Sequence, residues 1–77
     1  MAKSPILALM EHAVTQYDRR RVKRPGDNPY ALAQYMGAAD RAFMRYNEGV
    51  TLRTAIDEHF NDRLRDAVLK AVDSAGY

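Results

Sequence analysis

Residues 29–49, PYALAQYMGAADRAFMRYNEG, decide how this chain folds, because they can be interpreted as one helix or as two. Asn28-Pro29 places a capping side chain before a proline, which is typical of a helix start. Gly49 suits the left-handed position that follows a helix, and an internal glycine such as Gly37 costs only about 1 kcal/mol. On one continuous helix from 29 to 47, a single apolar stripe contains Leu32, Tyr35, Met36, Ala39, Ala42, Phe43 and Tyr46.

The alternative is a turn inside residues 32–49. The pattern consists of Leu32-Ala33, Met36-Gly37-Ala38, Phe43 and Tyr46 with a closing Gly49, and it resembles the helix-turn-helix of the Cro/repressor family. The resemblance implies that Ala33 lets two helices approach closely and that Gly37 forms a positive-φ turn. It also implies that Asp40, Arg41, Met44 and Arg45 point into the major groove, with Arg41 and Arg45 as the DNA-reading residues.

Helix signals continue on both sides of this stretch. Ser4-Pro5 and the apolar spacing after it predict a helix from about 5 to 20, and the segment RPGDNP at 24–29 separates it from the next. Thr51 is a predicted cap, and Asn61 is another, because the apolar stripe after Thr51 would rotate too far on one straight helix. No segment has the alternation of a strand. The sequence therefore predicts an all-α fold, a compact bundle of four or five short helices in one domain, 1–77.

Composition restricts the class of protein. The chain has 77 residues, 47% hydrophobic and 29% charged, with net charge +2 and no cysteine. These values are typical of a small globular domain and exclude disulfides and thiolate metal sites. No apolar run approaches the length of a membrane span, so we expect no membrane partner. The lack of cysteine favours a cytoplasmic location. The hydrophobic core of so short a chain is small, which makes a homodimer an open possibility.

A basic strip, RRRVKR at residues 19–24, is the strongest charge signal in the sequence. Its cations are Arg19, Arg20, Arg21, Lys23 and Arg24, which exceed what capping a helix end requires. Residues 1–38 carry six cations against three acids, whereas 39–77 carry six against seven. The strip is therefore predicted to contact an acidic protein surface or a phosphate backbone.

A second apolar seam is expected on residues 29–47 if they form one helix. It comprises Tyr30, Ala33, Gly37 and Met44, with Asp40 between them. Small residues allow another helix to approach, and methionine adapts to varied surfaces. The seam is a candidate interface for a dimer or a target protein, although scattered exposed apolar residues are also normal.

Signatures of catalysis are lacking in the sequence. His12 and His59 are the only histidines, they have no metal-ligand spacing, and Asp57-Glu58-His59 is interpreted as a solvated helix face. We therefore expect no enzyme activity, no cofactor and no metal site. Small cysteine-free chains of this type are similar to phage and plasmid accessory proteins, including anti-CRISPR inhibitors. The expected function is to bind and occlude a larger protein or nucleoprotein as an inhibitor or adaptor; the alternative is a Cro-like DNA-binding transcriptional regulator.

Overall fold

The computed structural model describes residues 4–21 and 29–77, with side chains for 4–20 and 31–77. These residues form four helices and no strand: α1 (Pro5–Arg21), α2 (Pro29–Asn47), α3 (Leu52–His59) and α4 (Asp62–Ser74). The predicted all-α bundle is confirmed, with four helices rather than five.

The helices begin and end where local signals place them. The Ser4 carbonyl accepts the first backbone hydrogen bond of α1, from the Ala8 N–H at 2.9 Å. The Thr51 hydroxyl caps α3 by accepting from the Thr54 N–H at 3.2 Å. Gly49 has φ +108, the left-handed conformation that the sequence assigned to it. The break before α4 also occurs as predicted, since Phe60 and Asn61 are both extended.

Helix α2 is continuous from Pro29–Asn47, so the turn at Gly37 implied by the Cro/repressor resemblance does not form. Gly37 is inside the helix and is not among the positive-φ glycines. The physical reason is that an internal glycine costs about 1 kcal/mol, less than the burial that the uninterrupted helix provides. Ala38, Ala39 and Ala42 are all buried along it.

The helices pack in a closed cycle. Helix α1 lies against α2 and α4, and α3 lies against the same two helices; within the described chain, the diagonal pairs α1–α3 and α2–α4 do not make close backbone contact. The interior is apolar, with Met10, Val14, Ile56, Val68 and Val72 fully buried and no polar or charged side chain buried among the described residues. The small residues Ala13, Ala38 and Ala55 allow the helices to approach closely in this core.

Candidate functional site

A cleft of about 850 Å³ opens where α1, α2 and the α3–α4 junction meet. These three parts of the bundle together form its walls. The residues that line it include Tyr17, Tyr35, Arg41, Phe60, Asp62 and Arg63. Polar, charged and aromatic side chains thus face the same open space, which gives the cleft the chemistry to hold a ligand group.

Two tyrosines hold the α1 and α2 sides of this cleft together. The rings of Tyr17 and Tyr35 meet edge to face, with centroids 6.1 Å apart and an interplanar angle of 73°. This geometry places the positive edge of one ring against the negative face of the other and is favourable in itself. Both residues are half-buried, so their rings support the core and still line the cleft.

Arg41 reaches the cleft from the exposed side of α2. An ideal Cβ built on Gly37 would lie 3.4 Å from Nη1 of Arg41, so the guanidinium lies back over the glycine, one helical turn earlier. Because glycine has no side chain, Gly37 leaves space that the guanidinium of Arg41 occupies. This packing role differs from the turn that the helix-turn-helix resemblance implies for Gly37.

The first turn of α4 forms the opposite side of the cleft. Asp62, its first residue, has φ +48, the left-handed conformation that aspartate adopts more readily than most residues. Asn61 occupies the capping position but makes no side-chain capping hydrogen bond, so its predicted role as a cap is only partly correct. The unusual backbone of Asp62 turns the chain from the extended Asn61 into α4.

Ion pairing separates the arginines of α2, α3 and α4 into two groups. Arg45 contacts Glu48 and Glu58, Arg53 contacts Asp73, and Arg65 contacts Asp57 and Asp66. The hydrogen bond to Glu58 raises the pKa of Arg45. Arg41 and Arg63 have no carboxylate partner among the described residues, and both line the cleft. The arginines of α2 and α4 that have no carboxylate partner among the described residues are therefore gathered at one site.

A second groove, of about 360 Å³, runs between α1 and α4. Its floor includes Ala13, Ala67 and Ala71, and its rim includes His12, Arg20 and Lys70. Tyr17 lines both the groove and the cleft, so the two adjoin at this residue. We refer to Arg20, Lys70, Tyr17, Tyr35, Arg41 and Arg63 together as the Tyr17 surface.

The basic strip only partly falls within the described structure. Arg19 and Arg20 are exposed at the end of α1, and Arg20 joins the Tyr17 surface. The side chain of Arg21, together with Lys23 and Arg24, lies outside the described residues. Of these two residues, Arg20 lines the groove and so continues the surface formed by Arg41 and Arg63.

The predicted seam on α2 is an exposed face. Ala33 and Asp40 are exposed, Gly37 is half-buried, and Met44 is 66% exposed. Tyr30 is in α2, but its side chain lies outside the described residues. The seam adjoins the cleft at Gly37, because Arg41 covers that glycine.

The two arginines predicted to read DNA have different surroundings. Arg41 lines the cleft without a carboxylate partner among the described residues, whereas Arg45 donates from Nε to Glu58 at 3.2 Å. They remain one turn apart on a continuous helix and do not form part of a separate recognition helix.

The histidines belong to helix surfaces. His12 is exposed on α1, and Nδ1 of His59 donates to the carbonyl of Ala55 at 2.9 Å at the end of α3. Asp57 and Glu58 pair with Arg65 and Arg45, so the expected solvated face is also an ion-paired one. Across the part of the chain that the structure describes, no three His, Cys, Asp or Glu residues cluster in a way that could hold a metal ion.

Sequence reasoning missed Tyr17, Tyr35, Arg63 and Lys70 as surface residues of this site. One signal was present for Arg63, which occupies the first turn of a helix. The helix dipole disfavours a cation there, and an unfavourable position suggests a role other than stability. The tyrosines gave no such signal, because their spacing is that of ordinary core residues.

No protein family, curated protein or solved structure matches this chain. Among the helices that the structure describes, none has the length and apolar character needed to cross a membrane.

Proposed function

We propose that this protein is a non-enzymatic binding protein that occludes a larger protein or nucleoprotein partner, as phage and plasmid inhibitors of the anti-CRISPR type do. The observation that carries the proposal is the concentration of unpaired cations around Tyr17, while the arginines of the α3 side are paired with carboxylates. Unneutralised charge on one side of a small protein attracts an oppositely charged surface and raises the rate of association.

The bundle supplies contact chemistry as well as charge. Tyr17 and Tyr35 offer aromatic contacts within the cleft, and the exposed Met44 offers an adaptable apolar contact beside it. Aromatic and arginine side chains are the residues that dominate binding energy at protein interfaces. A rigid helical surface of this kind would act by covering a site on its partner.

The alternative function, a Cro-like transcriptional regulator, draws less support from the geometry. Its recognition helix would begin after a turn at Gly37, where α2 is continuous. Arg45, one of its two base-reading residues, is engaged by Glu58. Sequence-specific DNA binding is therefore the competing outcome in the experiment that follows.

The experiment compares two doubly substituted proteins as affinity baits. Arg20→Ala with Arg63→Ala removes two cations of the Tyr17 surface, and Arg53→Ala with Arg65→Ala removes two paired ones. Both changes lower the net charge equally. Mass spectrometry of proteins captured from a host lysate, with and without nuclease treatment, should show a partner retained by the wild type and the control and reduced by the first variant.

Two results would contradict the proposal. One is equal capture by all three baits, which would mean that the unpaired cations are not the contact. The other is a wild-type protein that retards one DNA sequence about 1,000-fold better than random DNA, with the preference lost in Arg41→Ala/Arg45→Ala. That ratio is typical of a specific regulator and would favour the Cro-like function.

A further inference from the structure

We propose that the Tyr17 surface binds single-stranded nucleic acid, with phosphodiesters against Arg41 and Arg63 and a base against the tyrosines of the cleft. The inference rests on the proposed function, because it names the part of a nucleoprotein partner that this surface contacts. It assigns a ligand class to the cleft and to the groove beside it.

The first argument is the distribution of unpaired charge. Arg41 and Arg63 line the cleft on one side of Tyr17, and Arg20 and Lys70 line the groove on the other. None of these four has a carboxylate partner among the described residues. Cations along two adjoining grooves suit a ligand that carries negative charge along its length, as a nucleic acid backbone does. Arginine suits phosphate in particular, because its planar guanidinium donates two parallel hydrogen bonds.

The second argument is the aromatic lining of the same cleft. Tyr17 and Tyr35 are half-buried, and their edge-to-face contact fixes the orientation of both rings. Proteins that bind single strands combine a basic groove with aromatic rings on which bases stack. A volume of about 850 Å³ gives an unstacked base room to enter beside the rings.

A single strand fits this combination better than a duplex or an acidic peptide. In a duplex the bases are stacked inside and paired, so the tyrosines of a cleft would have no base face to contact. An acidic peptide would satisfy the arginines through its carboxylates, but aspartate and glutamate side chains have no ring to stack on the tyrosines.

Asp62 opposes the binding of an anion, because its carboxyl group lines the cleft together with Arg41 and Arg63. Replacing it therefore gives a gain-of-affinity test. Asparagine keeps the size of the side chain and tolerates the left-handed backbone at φ +48. Asp62→Asn should bind a single strand severalfold more tightly than the wild type.

Fluorescence anisotropy with a fluorescein-labelled 15-nucleotide oligothymidylate, at 50 and 200 mM NaCl, tests the proposal. We expect Arg41→Ala/Arg63→Ala to bind about tenfold more weakly or worse, with the slope of log affinity against log salt reduced by about 1.4, or 0.7 for each lost phosphate contact. The matched control, Arg53→Ala/Arg65→Ala, should remain within about twofold of the wild type, since its arginines are already paired.

Tyr35→Leu separates stacking from charge. The leucine keeps apolar packing at a half-buried position but offers no ring, so affinity should fall about fivefold while the salt slope is unchanged. Circular dichroism of each variant confirms the helical fold before binding is measured. If Tyr35→Leu folds and binds like the wild type, no base stacks on Tyr35, and the proposal is contradicted.

Competition experiments decide the class of ligand. Unlabelled oligothymidylate should displace the probe at lower concentration than a 15-base-pair duplex or a 15-residue polyglutamate. Displacement by either competitor at equal or lower concentration than the oligonucleotide would overturn the inference, as would equal losses of affinity in the two double variants or no binding at 50 mM NaCl.

These results are distinguishable from those that test the proposed function. A protein that captures a partner from a nuclease-treated lysate but does not bind the oligonucleotide would refute the single-strand inference alone. Binding of the oligonucleotide, without capture of any partner from either a nuclease-treated or an untreated lysate, would refute the occlusion of a larger partner and leave the binding of single-stranded nucleic acid standing.

Discussion

The Tyr17 surface and the α3 side of the bundle use the same kinds of charged residue in opposite ways. On the α3 side, Arg45, Arg53 and Arg65 each reach a carboxylate on another helix. On the Tyr17 surface, Arg41 and Arg63 contact no carboxylate among the described residues. The comparison teaches that net charge describes this protein poorly. A value of +2 for the chain does not show that the arginines of the α3 side have carboxylate partners while Arg41 and Arg63 have none among the described residues.

Ion pairing also determines the distance over which the charges of each side act on a partner. Paired charges cancel each other within a few ångströms, whereas unpaired cations project a field over about a Debye length, roughly 8 Å at physiological salt. The paired charges of the α3 side should therefore attract a partner little, and that side should contribute to stability through the buried core beneath it, whereas the Tyr17 surface should contribute to binding. The predictions below test this division in decreasing order of effect.

The largest effect is expected from the core beneath the paired side. Ile56 is fully buried on α3, so Ile56→Ala removes apolar contacts and leaves a cavity, at a cost of about 2–5 kcal/mol in the free energy of unfolding. Urea denaturation followed by circular dichroism measures it, and Met44→Ala is the exposed control, expected within about 0.5 kcal/mol of the wild type. A loss below 1 kcal/mol at position 56 would show that this side does not carry the stability assigned to it.

The second largest effect is expected from the backbone conformation of Asp62, on the cleft side of the bundle. Asp62 has φ +48, which costs an alanine about 1–2 kcal/mol but costs glycine little. Asp62→Ala should therefore unfold more easily than Asp62→Gly by about 1 kcal/mol, measured by urea denaturation. Both variants lose the carboxyl group, so their difference reports the strain of alanine at positive φ, less the greater unfolded-state entropy of glycine. An Asp62→Gly protein that is less stable than Asp62→Ala would mean that the left-handed conformation is not required for the start of α4.

The third effect concerns the helix that forms the paired side. The Thr51 hydroxyl accepts from the Thr54 N–H, and Thr51→Ala removes that acceptor, with an expected loss of about 1 kcal/mol. Thr51→Ser is the matched control, because serine keeps the hydroxyl and should stay close to the wild type. If serine destabilises as much as alanine, the capping hydrogen bond is not the cause.

The smallest effect tests the paired charges themselves. Arg53 and Asp73 form a 2.6 Å contact but are 65% and 44% exposed. A double-mutant cycle of Arg53→Ala and Asp73→Ala should give a coupling energy below about 1 kcal/mol, and less at high salt. A coupling of several kcal/mol would mean that the paired side holds the fold through its charges, contrary to the division drawn here.

Most of the helix positions could be predicted because their signals are local. Pro5, Thr51 and Gly49 act within one turn of their own positions, and each was correctly assigned from the sequence. The choice at Gly37 was harder, because a glycine is compatible with both a turn and a helix interior. The burial of Ala38 and Ala39 against the rest of the bundle favours the continuous helix.

The candidate site could not be predicted because it depends on distant contacts. Arg41 and Arg45 look equivalent in sequence, and only the position of Glu58 on another helix distinguishes them. In the sequence, Tyr17 and Tyr35 have the spacing of core residues. The cleft that they share exists only once α1 and α2 pack together. Charge and apolar spacing are readable along a chain, whereas which charges remain unpaired is a property of the folded arrangement.

The cyclic packing of the helices has a consequence for the order of events in folding. Three of its four interfaces join helices that follow one another along the chain, and only the contact between α1 and α4 joins distant segments. Neighbouring helices can meet after closing short loops, which is fast, whereas the last interface must close almost the whole chain. The groove between α1 and α4, with Arg20 and Lys70 on its rim, therefore takes shape with the final step of assembly.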